Sequence, residues 1–296
     1  MDAQPDLISV VIPFYKGNRY IGELLENLQQ VNTAVQKACG AALEVIIVND
    51  SPDVEAVYTP PAGLSVTLVP NPKNMGIHAS RINGIRHAKG QWIQMLDQDD
   101  LLIPENYPGQ LLAAKNADIV VGNCFYYYGE EKTALYANLS VMKYLITENR
   151  FLNIRNLIAS PGHCLIRKSV ISPYWLENPM VVNGSDDYYL WALQFQANSR
   201  FALNSDAVYI HRNSTEGNLS FDLKKMHSSN EEMCALLENA PGYPKKKLQT
   251  LKRSIVFKFL CDTHQLKLWD WFRYADKVID NAIYKFAVLF LKLKKK

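Results

Sequence analysis

Residues 92–104 read WIQMLDQDDLLIP, a short apolar run followed at once by Asp97, Asp99 and Asp100 and then by Pro104, which can begin a helix. The apolar run predicts a buried strand. Three carboxylates within four residues repel one another, so their closeness at the end of a strand costs energy unless a cation or hydrogen-bond donors compensate. Mg²⁺ or Mn²⁺ fits this need, because hard divalent ions prefer oxygen ligands. The alternative interpretation is a solvated acidic turn that caps the next helix.

The first hundred residues alternate short apolar runs with amphipathic helical patterns. We predict strands at 8–12, 45–48, 66–69 and 92–96, and helices at 20–35 and 77–88. This alternation is typical of an α/β fold with a Rossmann-type sheet flanked by helices, in which ligands bind beyond the carboxyl ends of the strands. The polar or turn-forming residues at those ends are Pro13, Tyr15, Asn49, Asp50, Ser51, Asp53, Asn71, Asn74, Asp97, Asp99 and Asp100.

From residue 118 the pattern changes to tyrosine-rich strands, and beyond residue 222 it becomes helical. The strands are predicted at 124–128, 165–166 and 207–210. We therefore predict one α/β domain over residues 1–221, with two halves at 1–117 and 118–221. A helical, basic C-terminal extension is predicted at 222–296.

Charge is distributed unevenly along the 296 residues, whose net charge is +3. From Lys245 onward, 14 Lys or Arg residues stand against 4 Asp or Glu residues, which gives +10 and leaves −7 for residues 1–244. A nucleic-acid backbone requires a basic surface. The acidic body therefore excludes nucleic acid as the main partner.

The cysteines and the N-terminal residues predict a reducing, cytoplasmic environment. The five cysteines are odd in number and form no Cys-x-x-Cys pair, which indicates reduced thiols rather than a disulfide framework or a zinc ribbon. The first residues are acidic where a signal peptide is positively charged, and the apolar run at 7–13 is too short to span a membrane.

Four sequence blocks, at 8–15 (ISVVIPFY), 44–53 (EVIIVNDSPD), 74–90 (NMGIHASRINGIRHAKG) and 96–100 (LDQDD), resemble glycosyltransferase family 2 in order and spacing. The resemblance covers about the first 105 residues. It implies a GT-A-like mixed sheet, an inverting transferase, a nucleotide-sugar donor and a divalent metal ion. It makes 1–117 the nucleotide-binding half and 118–221 the acceptor-side half. The glycines at 76 and 84 are predicted to allow tight turning and close helix packing.

The resemblance also implies roles for residues on the nucleotide side. Asp50 matches the aspartate that reads the base, where a carboxylate accepts from N3–H of uracil or thymine; a guanine base fits less well, and a UDP-sugar is the favoured donor. Pro13 and Tyr15 match the loop that lines the nucleotide. Arg81 matches an arginine near the diphosphate, and a structural salt bridge to Asp97 or Asp99 is the alternative. Asp97 itself matches a position that contacts the ribose or the metal ion.

Metal and catalytic roles follow from the same resemblance. Asp99 matches the metal ligand, and His211 follows a predicted strand where the family often places a residue near the metal or diphosphate. Residues 183–191 (NGSDDYYLW) resemble the family's Glu-Asp motif at a helix start. Asp187 then takes the proton from the acceptor hydroxyl, and Asp186 replaces the usual glutamate. Helix capping by Ser185 is the alternative.

The segment 277–296 combines apolar residues with lysines concentrated at the end of the chain. It predicts either an interfacial helix on an anionic membrane or a helix packed on the body. The first interpretation makes the protein peripheral at the inner face of the cell membrane and favours a lipid-linked saccharide as the acceptor. Without membrane docking, a saccharide is the acceptor expected. Two rival functions stay open: a nucleotidyltransferase, and a non-catalytic nucleotide- or sugar-binding protein of the same fold.

Overall fold

The computed structural model describes residues 6–128, 131–212 and 222–293, which divide into two compact units. The first unit comprises Met1–Leu135, Ser160–Val181 and Asn198–Ser214. The second comprises Tyr136–Ala159, Val182–Ala197 and Thr215–Lys296. The units alternate along the chain, and the linear domains at 1–221 and 222–296 stay a prediction.

All strands of the described residues belong to the first unit and form one mixed sheet. They are β1 Leu7–Phe14, β2 Ala42–Asn49, β3 Ser65–Pro70, β4 Trp92–Met95, β5 Leu101–Leu102, β6 Ile119–Tyr128, β7 Glu131–Ala134, β8 Cys164–Arg167 and β9 Phe201–Arg212. The strand order is β3-β2-β1-β4-β8-β6-β9-β5, with β7 paired to β6. The strands β3, β2, β1 and β4 run parallel, whereas β8 is antiparallel to both β4 and β6. The mixed α/β class predicted from the sequence is confirmed.

The helices are divided between the two units. In chain order they are α1 Asn18–Cys39, α2 Ile77–His87, α3 Pro108–Ala113, α4 Leu139–Leu145, α5 Glu148–Asn153, α6 Pro173–Glu177, α7 Asp186–Gln196, α8 Leu223–Asn239, α9 Lys245–Asp262, α10 Leu268–Arg273 and α11 Ala275–Leu293. The first unit contains α1, α2, α3 and α6, and the second unit contains the others. No helix among the described residues is both long and apolar enough to cross a membrane.

The predicted strands and helices of the first hundred residues are all present, but the segment after the acidic residues differs from the prediction. Leu101 and Leu102 form strand β5, which pairs antiparallel with β9. The next helix begins at Pro108 rather than at Pro104. The acidic turn therefore leads into a strand of the same sheet, and the interpretation of a solvated turn that caps a helix is wrong.

Helix α1 covers the parallel strands because its apolar residues recur every three or four positions. Ile21, Leu24, Leu28 and Val31 are buried on that face, and each buried aliphatic side chain contributes about 1.5–3 kcal/mol. The helix ends at Gly40, whose φ of 66° is left-handed and whose N–H donates to Gln36 O.

Helix α2 packs close to the sheet because residue 84 lacks a side chain. A Cβ atom built on Gly84 would lie 2.3 Å from Cγ1 of Val11 in β1. No real Cβ makes so short a contact, so only glycine allows this approach of helix and strand. The predicted close packing at this glycine is confirmed, and it places Arg81, one turn earlier in α2, beside the end of β4.

Candidate active site

Arg81 and Asp97 meet at the carboxyl end of β4. The Nη2 atom of Arg81 donates to Oδ1 of Asp97 over 2.7 Å, and the arginine side chain is buried while the aspartate is partly exposed. The salt bridge to Asp97 considered from the sequence is therefore present. A contact between Arg81 and a diphosphate stays a prediction.

Asp99 lies two residues further along the same turn and is half-buried. Burial, together with the charges of Asp100 and Asp97, raises the pKa of Asp99 from 3.8 to about 6. Among the described residues, no lysine or arginine forms a salt bridge with this carboxylate. The three acidic side chains thus leave an unbalanced negative charge at Asp99, which a bound cation would offset.

Asp100 is the most deeply buried of the three aspartates, with a side chain that is 2% exposed. It accepts hydrogen bonds from Tyr209 Oη, from Arg212 N over 2.7 Å and from His211 Nδ1 over 3.1 Å. Burial lowers the pKa of His211, but the hydrogen bond and charge of Asp100 outweigh burial and raise it above the ordinary value. His211 is therefore paired with Asp100, and its role as a metal ligand stays a prediction.

Arg212, at the end of β9, connects the acidic turn at 97–100 to α1, a role that no local sequence pattern indicates. Its Nε atom donates to Asp99 O over 2.5 Å, and its Nη1 atom donates to Glu23 Oε2 over 2.7 Å. Arg212 and Asp99 are 113 residues apart in the chain. Local patterns cannot reveal such a contact, because strand pairing rather than sequence spacing creates it.

The residues around Asp99 fit a divalent cation that is shared with a substrate. Within residues 6–128, 131–212 and 222–293, no three His, Cys, Asp or Glu side chains are grouped to hold a metal ion. Mg²⁺ usually binds one or two carboxylates together with substrate phosphates and water, rather than a cage made only of protein ligands. Asp99, with Asp97 beside it, offers such a partial oxygen site.

Asp50 follows β2 and is buried, with 5% of its surface exposed. Its Oδ1 atom accepts from Asn71 Nδ2 over 2.8 Å and from Met75 N over 2.6 Å, and its Oδ2 atom accepts from Gly76 N over 2.9 Å. Asp50 thus fixes the segment between β3 and α2. Base recognition by this residue stays a prediction.

Pro13 and Tyr15, predicted to line the nucleotide, lie at the end of β1, where Gln98 holds the backbone. The Oε1 atom of Gln98 accepts from Tyr15 N over 2.9 Å, and its Nε2 atom donates to Tyr15 O over 3.1 Å. A Cβ on Gly17 would lie 2.3 Å from Gln98 Oε1, so a larger residue there would displace the Gln98 amide. The Tyr15 side chain itself is exposed. The aspartates on both sides of Gln98 were predicted as site residues from the sequence, but Gln98 was not.

Asp186 and Asp187 begin α7 in the second unit, as the motif predicted. Asp186 is buried, whereas Asp187 is partly exposed. Asn156 Nδ2 donates to Asp187 Oδ2 over 3.0 Å, and Tyr188 N donates to Asp187 Oδ1 over 2.7 Å. The Ser185 hydroxyl donates to Asn230 Oδ1 and makes no capping bond to α7. Side-chain capping by Ser185 is therefore wrong, although both acids lie in the first turn, where they complement the helix dipole. A catalytic role for Asp187 stays a prediction.

The fold is that of the GT-A glycosyltransferases. S. aureus TarS 1–349, solved in complex with UDP-GlcNAc, matches it with a TM-score of 0.63 and 17% identity, over 92% of this chain and 80% of that one. The mannosyltransferase PcManGT from Pyrobaculum calidifontis, solved in complex with GDP-Man and Mn²⁺, matches with a TM-score of 0.54 and 16% identity, over 99% and 87% of the two chains.

The chain belongs to glycosyl transferase family 2, whose sequence profile matches residues 9–175. The succinoglycan biosynthesis protein ExoO of Rhizobium meliloti is 25% identical over 248 residues, which cover 77% of this chain and 66% of that one. An undecaprenyl-phosphate 4-deoxy-4-formamido-L-arabinose transferase of Pseudomonas paraeruginosa is 32% identical over 123 residues, covering 40% and 35%. The chain spans about a third to two thirds of the length of the curated relatives it matches.

Proposed function

We propose that this chain is an inverting, metal-dependent glycosyltransferase. It transfers a sugar from a nucleoside diphosphate sugar, specifically a UDP-sugar, to an acceptor hydroxyl in the assembly of a cell-surface polysaccharide or glycoconjugate. Membership of the family supports this class of reaction. No observation favours a nucleotidyltransferase or a non-catalytic binding protein.

One observation carries the proposal: the half-buried carboxylate of Asp99 lies beside two further aspartates at the carboxyl end of β4, and its pKa is raised to about 6. Ligands of such sheets bind at that end of the strands. When bound there, Mg²⁺ or Mn²⁺ would offset the negative charge of the diphosphate leaving group. Asp99 would hold the ion, with Asp97 beside it, while Arg81 keeps the Asp97 carboxylate in place.

The surroundings of Asp50 support recognition of uracil. A carboxylate offers about four acceptor positions, and the three donors that bind Asp50 occupy two on Oδ1 and one on Oδ2. One position on Oδ2 therefore suits the N3–H donor of uracil. Guanine presents two adjacent donors, N1–H and the N2 amino group, and this single position could pair with only one of them.

In the transfer step, Asp187 is the base that accepts the proton of the acceptor hydroxyl. The acceptor oxygen forms a bond to the anomeric carbon while the bond from that carbon to the diphosphate oxygen breaks, and the electron pair leaves with the diphosphate. The proton of the acceptor hydroxyl passes to the Asp187 carboxylate. Asn156 and the backbone of Tyr188 orient this carboxylate through the two hydrogen bonds at 3.0 and 2.7 Å. A single displacement inverts the configuration at that carbon.

The acceptor class is proposed from the relatives. One of them is named for succinoglycan biosynthesis, and another is named as an undecaprenyl-phosphate sugar transferase. A saccharide or a lipid-linked saccharide is therefore the acceptor class to test first.

Calorimetric titration of the protein with UDP and GDP tests the donor and the metal together. We expect UDP to bind in the presence of Mn²⁺, to lose most of its affinity in chelator, and to bind more tightly than GDP. If the protein binds neither UDP nor GDP, with or without Mn²⁺, the proposal is contradicted.

The variant Asp187→Asn tests the catalytic base separately. We expect UDP release from UDP-sugars in the presence of a membrane and saccharide extract to fall by about 10²–10⁴-fold, with UDP affinity unchanged. Asp206→Asn is the matched control, because Asp206 is exposed on β9 and outside the site. Turnover of the Asp187 variant equal to that of the control would refute the assigned role.

A further inference from the structure

Helix α10 exposes large apolar side chains that the sequence analysis did not identify. Trp269 is 79% exposed and Phe272 is 70% exposed. Leu268 and Trp271 on the same short helix are also exposed. Large exposed aromatic side chains concentrated on one element indicate an interaction site, since isolated exposed apolar residues are common but clusters are not.

Helix α11, which contacts α10, also exposes apolar residues along one of its faces. The exposed apolar residues recur every three or four positions and therefore share one side of the helix; they are Ile279, Ile283, Phe286, Leu289, Phe290 and Leu293. The other side is fixed to its own unit. Lys277 is 2% exposed and donates to Asn153 Oδ1 over 2.6 Å, and Asn138 Nδ2 donates to Leu291 O over 3.2 Å. The helix is thus packed on α4 and α5 while an apolar face stays exposed.

Basic residues accompany this surface. Residues 265–296 contain eight Lys or Arg and three Asp, so the segment carries a net charge of +5. Lys285 and Lys292 of α11 are exposed, and on the helix they lie beside the apolar face. One of the three acids, Asp276, is neutralised by Arg253 at 2.7 Å. The surface therefore combines apolar and cationic groups.

We propose that α10 and α11 form a docking surface for an anionic lipid bilayer, with the exposed apolar residues of both helices inserted at the headgroup boundary and the lysines on the lipid phosphates. Tryptophan side chains favour this boundary because they have an apolar body and a polar N–H. A two-fold contact through this face would place the lysines of both copies, Lys285 and Lys292 among them, in or around one interface, where like charges disfavour association. An anionic bilayer complements the same charges.

Vesicle flotation of the full chain tests the proposal. We expect binding to phosphatidylcholine vesicles that contain about a third phosphatidylglycerol, and much weaker binding to pure phosphatidylcholine, because each lysine near an anionic surface contributes about a fivefold gain in affinity. The assay contains no nucleotide, so it can fail while the proposed transferase function holds, and the reverse is equally possible.

Two pairs of variants separate the apolar and the electrostatic contributions. Trp269→Ala/Phe286→Ala should weaken vesicle binding about a hundredfold, since each buried aromatic contributes about tenfold or more. The control Val57→Ala/Leu112→Ala removes exposed apolar residues of the first unit and should leave vesicle binding unchanged.

The charge pair Lys285→Glu/Lys292→Glu should weaken binding by at least about 25-fold. Its control, Lys37→Glu/Lys115→Glu, makes the same change in net charge at exposed residues of the first unit and should weaken binding far less. All four substituted residues are exposed, so thermal unfolding should be unaffected. Three results would overturn the proposal: no binding of the natural chain, equal binding by surface and control variants, or self-association that the α10–α11 variants abolish without any vesicle binding.

Discussion

The substitution Asp99→Asn should increase the stability of the protein while it removes metal-dependent nucleotide binding. Asp99 has a pKa of about 6, raised from 3.8 by burial and by Asp100 and Asp97. Between pH 4 and 6 the folded state therefore binds more protons than the unfolded state. The free energy of unfolding then falls as the pH rises through this window, so the ionised carboxylate costs stability at neutral pH.

The magnitude follows from the pKa difference. A shift of about two units corresponds to about 3 kcal/mol, and partial exposure of Asp99 reduces this to about 1–2 kcal/mol. We expect Asp99→Asn to raise the free energy of unfolding by that amount at pH 7 and to leave it unchanged near pH 4. An interaction of unit charges at about 4 Å is worth about 4 kcal/mol at an effective dielectric of 20, so loss of the carboxylate should weaken Mn²⁺-dependent UDP binding at least about a hundredfold.

Asp118→Asn is the matched control, because Arg200 lowers the pKa of Asp118 to about 2 through its hydrogen bonds. That variant should lose about 1–2 kcal/mol of stability and keep UDP affinity. Urea unfolding in chelator measures the first quantity, and calorimetry with Mn²⁺ measures the second. A destabilised Asp99 variant, or one that binds UDP as the natural chain does, would refute the reasoning about this carboxylate.

Two further predictions concern packing and pH. Gly84→Ala should cost about 1–3 kcal/mol of stability, because its Cβ would lie 2.3 Å from Val11 Cγ1. Gly22→Ala in α1 meets nothing within 4 Å and should gain about 0.5–1 kcal/mol. Urea unfolding that ranks the two variants the other way would contradict the packing. Burial lowers the pKa of His163 to about 4, although the hydrogen bond with Gly122 acts to raise it. The free energy of unfolding should therefore fall as the pH falls from about 6.5 to 4. The variant His163→Gln should flatten that slope, and an unchanged slope would assign the pH dependence to other groups.

Much of the first unit could be predicted from the sequence because its strands are continuous apolar runs. The runs at 8–12 and 45–48 lie within β1 and β2. The helical pattern at 20–35 lies within α1, and the one at 77–88 extends one residue past α2. Strand β5 was not predicted, because its two residues, Leu101 and Leu102, are too few to show the alternating pattern of a strand. Pairing with β9, more than a hundred residues away, makes that segment a strand.

The site residues that belong to local sequence motifs were predicted. Those that join the site through contacts distant in the sequence were not. The aspartates at 97 and 99 follow a recognisable strand, and Arg81 lies in a helical block of the same family pattern. Tyr209 and Arg212 bind Asp100 across a separation of 109 and 112 residues, which no spacing rule predicts. The orientation of α11 was likewise open, because an amphipathic sequence does not state which of its faces is covered.

The side-chain amide of Gln98 behaves like a peptide group of a neighbouring strand, since it both donates to and accepts from the backbone of Tyr15. These two hydrogen bonds link the loop after β1 to the acidic turn after β4. A displacement of either segment would strain these two hydrogen bonds, so a ligand that contacts Tyr15 would also affect the position of the acidic turn. Glutamate at this position would keep the bond accepted from Tyr15 N and lose the bond donated to Tyr15 O, which would weaken the link between the two segments.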